Sequence, residues 1–268
     1  MKRTQELDWI AVVLKSRRLR ITTCLLEASQ ICKFVMKTSR AHPRFPSDPD
    51  HGRPVGHQTC PQSPDDEADV VLRGLSGYNT RWALKVLPRA MEGAAPAAVT
   101  VFFGANDASL PNQVQAHQHV PLQEYQSNLR AICAYFKERW PSTAIILITP
   151  PPIYEPARIR DMYGDDDPSR QPERSNEAAG AYAQACIAVA TELNHPVIDI
   201  WTKMQEFPDW QTDALSDGLH FTPAGNKILF DEVVKTLASI GFSQERLPSD
   251  LPLFHEIDPK DPMKAFGA

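Results

Sequence analysis

The chain has 268 residues, 42% hydrophobic and 23% charged, with a net charge of −5, which is material for one domain with its own core. No run reaches the roughly 18 apolar residues of a membrane span, and the first apolar run, IAVVL, is too short for a signal-peptide core, so a soluble cytoplasmic protein is expected. Five scattered cysteines with no CxxC pair argue against a disulfide frame or a zinc knuckle and fit a reducing compartment.

Residues 1–40 carry nine Lys/Arg against three Asp/Glu, leaving an acidic body. A basic arm of this kind reaches nucleic acid or anionic lipid in some proteins, but no recognition motif accompanies it, and a solvated arm is expected. ITTCLL and ICKFVM fit either strands or one amphipathic helix. Residues 41–66 hold six prolines in twenty-six residues without a sustained period and read as a loop or disordered linker.

From Asp69 the pattern alternates. DVVLR (69–73), VTVFF (99–103), AIILIT (144–149) and PVIDI (196–200) are short β-branched runs that predict buried parallel strands. Between them TRWALKVLPRAM, PLQEYQSNLRAICAYFKERW and SNEAAGAYAQACIAVATEL place apolar residues at helical spacing. The polar stretch 164–175, ending in DPSRQPERS, reads as a solvent-exposed loop. A last helix opens at Thr222-Pro223, with Thr as N-cap and Pro at the first helical position. The tail after Ile240 is punctuated by proline and is expected to pack along the surface. Repeated β-α units predict an α/β sandwich with ligands at the carboxyl ends of the strands.

Three stretches fall where such a site would lie. In RGLSGYNTRW, Gly74 and Gly77 permit a tight turn with unshielded amides, suited to an oxyanion; taken alone, an ordinary strand-to-helix turn is the readier explanation. Ser76 fails as a nucleophile elbow because Tyr78 stands where Gly is required. In FFGANDAS, Asn106 offers a side-chain amide to developing negative charge and Asp107 a carboxylate to local backbone, although an Asn-Asp turn accounts for both. In DGLHFTPAGN, Asp217 stands three residues ahead of His220, and a carboxylate on one imidazole nitrogen fixes the tautomer and stabilises the cation.

Taken together, SGYNTRW, GAND and DGLHFTPAGN resemble three of the four blocks of the SGNH, or GDSL-type, hydrolases, most nearly the isoamyl acetate-hydrolysing esterase branch, over about residues 67–240. The resemblance implies a three-layer α/β/α fold with a flavodoxin-like parallel sheet. It also implies hydrolysis of a small ester through an acyl-serine, with no cofactor or metal. It assigns the Gly77 N–H and the Asn106 amide to the oxyanion hole, His220 to the general base and Asp217 to orienting that base. The domain would then span 67–245, behind an atypical N-terminal segment 1–66 and ahead of a tail 246–268.

The sequence departs from the family in one block. No Gly-Asp-Ser occurs in it, so the nucleophile is unassigned; Ser47 stands near the expected spacing, though Pro46 removes a backbone donor beside it, and Ser39 has a possible strand, KFVMKT, before it but no Gly-Asp turn. The central first strand is therefore expected to be missing or replaced, with residues 21–36 as the available substitute. Alternative splicing or a gene-model error would account for a family body under a foreign head. Two functions follow as expectations: an esterase crippled by the lost serine, or a non-catalytic relative that binds an acyl ligand or a protein partner. A third reading takes His42, His51, His57 and Cys60 as metal ligands, against their irregular spacing. His117 and His119 read as a solvated loop, and neither nucleic-acid binding nor a particular oligomeric state is indicated.

Overall fold

The computed structural model describes residues 20–25, 69–164, 170–242 and 257–266. Ser39, Ser47 and the His42, His51, His57 and Cys60 group lie outside them. The strands are β1 (Arg20–Leu25), β2 (Asp69–Leu72), β3 (Ala98–Phe102), β4 (Ala144–Ile148) and β5 (Val197–Ile198), joined into one parallel sheet in the order β2-β1-β3-β4-β5. This is the flavodoxin-like order, whose direction of winding switches between β1 and β3.

The central place is filled. β1 pairs with β3 over five residues, from Ile21↔Ala98 to Leu25↔Phe102, and meets β2 at Arg20↔Asp69. Of the two alternatives at ITTCLL, the strand is the one adopted, and where residues 21–36 were expected to supply the substitute it is Arg20–Leu25 that does so. β3 is thereby bonded on both sides, since its other edge pairs with β4 from Ala98↔Ala144 to Phe102↔Ile148. A half-open β3 would have left a row of buried backbone groups unpaired.

Alternation along the strands separates two cores. Val99 and Val101 of β3 and Ile145 and Leu147 of β4 pack with α1 (Thr80–Ala90), α2 (Leu122–Arg139) and α4 (Asn176–Glu192) through Leu87, Leu129, Ile132, Phe136 and Val189. Ala98, Phe102, Ile146 and Ile148 face the other way, onto Ile200 and Met204 of α5 (Ile200–Gln205) and Leu229 and Leu237 of α7 (Pro223–Ser239). Each fully buried Ile or Leu contributes about 1.5–3 kcal/mol. The result is three layers, helix on sheet on helix.

The predicted Thr222 cap forms, and Ser175 supplies a second that the sequence reading did not single out. Ser175 accepts from the Ala178 N–H at the start of α4, and Thr222 accepts from the Gly225 N–H with Pro223 at the first helical position of α7. Two further helices, α3 (Glu155–Tyr163) and the short α6 (Trp210–Asp213), occupy stretches that carry no apolar period.

Candidate active site

At the end of β3 the chain must turn sharply. Gly104 has φ +128°, and a Cβ there would lie 3.0 Å from the Pro150 ring and the Tyr125 hydroxyl, so only glycine fits. The turn delivers Asn106 and Asp107 into the interior. Asp107 bonds its own backbone N–H, the local contact the sequence suggested, but that is not its main partner. It reaches across to α1, accepting the Thr80 N–H at 3.0 Å and the Thr80 hydroxyl, and burial pushes its carboxyl up to about 7 despite those donors.

The β2 loop is tied to the same place. Asn79 caps α1 by accepting the Trp82 N–H at 2.9 Å and donates its amide to the Gln118 carbonyl at 2.9 Å. Gln118 Nε2 donates to the Gly77 carbonyl at 3.1 Å, and Asn106 Nδ2 donates to the Tyr78 carbonyl at 2.9 Å. Gly77 has φ +73°, and among the described residues no acceptor takes its N–H. The two residues expected to face an oxyanion thus sit beside one another at the carboxyl ends of β2 and β3.

The Asp217–His220 loop is closed at its base by the Leu215↔Phe221 bridge and across its middle by the Ser216 N–H donating to the His220 carbonyl at 2.7 Å. Asp217 Oδ1 accepts the N–H groups of Leu219 at 3.0 Å and His220 at 2.8 Å; Oδ2 is bonded to His220 Nδ1 and accepts Arg158 Nη1 at 2.8 Å. Burial would raise the Asp217 carboxyl, but the ring and backbone donors of His220 and the Arg158 charge hold it well below the usual carboxylate range. With the carboxylate ionised, Nδ1 carries the ring proton and Nε2 is the basic nitrogen.

A buried ionic cluster that the sequence hid joins these halves. Residues 173 and 174, read as part of an exposed loop, are 0% and 4% exposed. Glu173 Oε1 accepts Arg158 Nε at 2.9 Å, Arg158 Nη2 at 2.6 Å and Arg174 Nη1 at 2.7 Å. Arg174 then donates Nη2 to Asn106 Oδ1 at 2.8 Å and to Gln118 Oε1 at 2.7 Å, and Nε to the Ala105 carbonyl at 2.9 Å. Burial works against the Arg158 charge, yet the carboxylates of Glu173, Asp217 and Asp161 raise its pKa. Ala105 and Leu219, neighbours of Asn106 and His220, share an apolar cluster with Ile153 and Ala179. Arg158, Glu173, Arg174 and Gln118 were all missed; the one signal was an adjacent Glu-Arg pair directly before the Ser175 cap, an unusual place for two solvated charges.

His117 is exposed beside Trp82 and His119 bonds the Ser109 carbonyl, and no group of three or more His, Cys, Asp or Glu is disposed to hold a metal among the described residues. Cys133 and Cys186 are buried free thiols, each pushed up to about 12 by burial. No helix among the described residues is long and apolar enough to cross a membrane.

An oriented imidazole joined through buried ion pairs to a side-chain amide suits acyl-transfer hydrolysis, and residues 56–233 match the family described as GDSL-like Lipase/Acylhydrolase. The chain belongs to the GDSL lipase/acylhydrolase family, whose members are carboxylic-ester hydrolases. It is 57% identical over 206 residues to a GDSL esterase/lipase of Arabidopsis thaliana, covering 75% of this chain and 85% of the relative. It is 40% identical over 201 residues to the isoamyl acetate-hydrolyzing esterase 1 homolog of Mus musculus, covering 73% and 78%. Among solved structures it resembles a lipase/acylhydrolase from Enterococcus faecalis, with a TM-score of 0.50 and 28% identity over 62% of this chain and 74% of that one.

Proposed function

We propose that the described residues hold the base and oxyanion parts of a carboxylic-ester hydrolase for small or acetylated esters. His220 is the general base, Asp217 orients it, and the Gly77 N–H and Asn106 amide receive the oxyanion. In that reaction His220 Nε2 takes the proton of the attacking hydroxyl, the ester carbonyl oxygen gathers charge against the two donors, and the same proton passes to the departing alcohol. Water then cleaves the acyl intermediate by the reverse proton route. One observation carries the reading: a continuous hydrogen-bonded path runs from His220 through Asp217, Arg158, Glu173 and Arg174 to Asn106. The substrate class rests on similarity to isoamyl acetate-hydrolyzing esterases.

The sequence supplies no Gly-Asp-Ser to complete this set. Loss of the nucleophile in a related triad costs on the order of 10⁶ in rate. The chain as written is therefore expected to hydrolyse p-nitrophenyl acetate barely above background and to resist a fluorophosphonate probe. Stoichiometric labelling of one serine, abolished in His220→Ala, would show that a serine elsewhere in the chain replaces the lost one.

A second reading is favoured by the same combination of an intact base and donors with an absent Gly-Asp-Ser block: a pocket that binds an acyl or acetyl ligand without turning it over. Saturable heat with acetate or a short ester, abolished in Asn106→Ala, supports it; no heat across such a panel removes it.

A further inference from the structure

Glu173 presents one carboxylate oxygen to two guanidinium groups, and those groups lead to opposite halves of the site. Arg158 goes on to Asp217 and Arg174 to Asn106. Arginine has donors and no acceptor, so the Asn106 atom facing Arg174 must be Oδ1, and Nδ2 is turned toward the Tyr78 carbonyl. One Nδ2–H is used there, and the second has no acceptor among the described residues. A cation on Oδ1 also draws electron density through the amide and strengthens that remaining N–H as a donor. On the other side, Arg158 shares Asp217 Oδ2 with His220, so four donors fix the carboxylate and stop it rotating away from the ring.

We infer that Arg174, Glu173 and Arg158 form a positioning unit that sets the Asn106 amide and the Asp217–His220 pair together. Glu173 is its hinge: with its other oxygen buried and unbonded among the described residues, Oε1 alone holds both arginines. The inference deepens the ester-hydrolase reading and concerns groups that do not touch the substrate. Lysine at 174 keeps the charge but cannot donate through a fork to Glu173, Asn106 and Gln118 at once.

Side-chain NMR of the full chain, with the Asn106 amide and the His220 Nδ1–H identified by their loss in Asn106→Ala and His220→Ala, tests this without requiring turnover. Arg174→Lys is expected to shift the Asn106 amide pair and also to move or broaden the remote His220 Nδ1–H. Arg158→Lys should do the converse, and Glu173→Gln should move both. Lys227→Ala, whose partner is Asp231 on the outer face of α7, should move neither. The inference is overturned if Arg174→Lys and Arg158→Lys each disturb only their own side. Should Glu173→Gln fail to fold, the two lysine variants decide alone. Failure here with ester or acetate binding intact removes the positioning unit only; coupled shifts without any ester binding remove the functional reading only.

Discussion

Gly218 is the residue on which the seating of the Asp217–His220 loop turns. Its φ is +85°, and a Cβ there would meet the Tyr154 carbonyl oxygen at 2.3 Å and the Arg158 N at 2.9 Å, both backbone atoms of the start of α3. In Gly218→Ala the left-handed backbone costs about 1–2 kcal/mol. The 2.3 Å contact cannot be met by rotating a side chain, so the loop must lift from α3. It then loses the Tyr154 N–H to Gly218 carbonyl bond of 2.9 Å, about 0.5–1.5 kcal/mol, and the Arg158–Asp217 contact of 2.8 Å, about 1.5–3 kcal/mol. Gly93 supplies the internal comparison: φ is +69° with nothing within 4 Å of an added Cβ, so Gly93→Ala carries the backbone cost alone. Urea unfolding followed by tryptophan fluorescence should separate the two variants by about 2–4.5 kcal/mol, and the His220 Nδ1–H resonance should disappear only in Gly218→Ala. Equal losses of stability, or an unchanged His220 signal, would refute the claim that α3 seats the loop.

Because the Asp217 carboxyl lies below its ordinary value of 3.8, its contribution to stability is present above about pH 4 and is lost as pH falls toward the folded value. Asp217→Asn should flatten that acid limb in thermal unfolding scans between pH 5 and 2. Asp107 has the opposite sign: with its carboxyl pushed up from 3.8 to about 7, the folded state holds the proton longer, so stability falls as pH rises through that window. Asp107→Asn should lose less stability than the parent between pH 5 and 8, read as the difference in urea midpoints. Thr222→Ala removes the cap on the Gly225 N–H and should cost about 1 kcal/mol, measured by calorimetry, without altering the His220 resonance.

The strands and long helices were legible because their buried faces are apolar and recur at a fixed period. β3 and β4 are buried on both faces and read as continuous β-branched runs, while Thr222-Pro223 announces α7 by its chemistry. α3 was invisible for a physical reason: its buried residue is Arg158, so no apolar stripe betrays the helix. Glu173 and Arg174 misled for the same reason, since a charge that is neutralised across the fold looks identical in sequence to one that is hydrated. Asp217, His220, Gly77 and Asn106 could be singled out because their spacing is local. The cluster connecting them draws on residues 105 to 217, and only the folded chain brings these together. At ITTCLL the short pattern left two shapes open, and the five-residue register with β3 is what decides between them.

That register carries a wider implication. A parallel sheet asks of its middle strand only a backbone able to bond on both edges, and Arg20–Leu25 satisfies it without the Gly-Asp-Ser letters that the family places there. The hydrogen-bond ladder of the sheet thus sets a requirement on the backbone of this strand alone, and chains of one sheet order can differ in the residues that spell it.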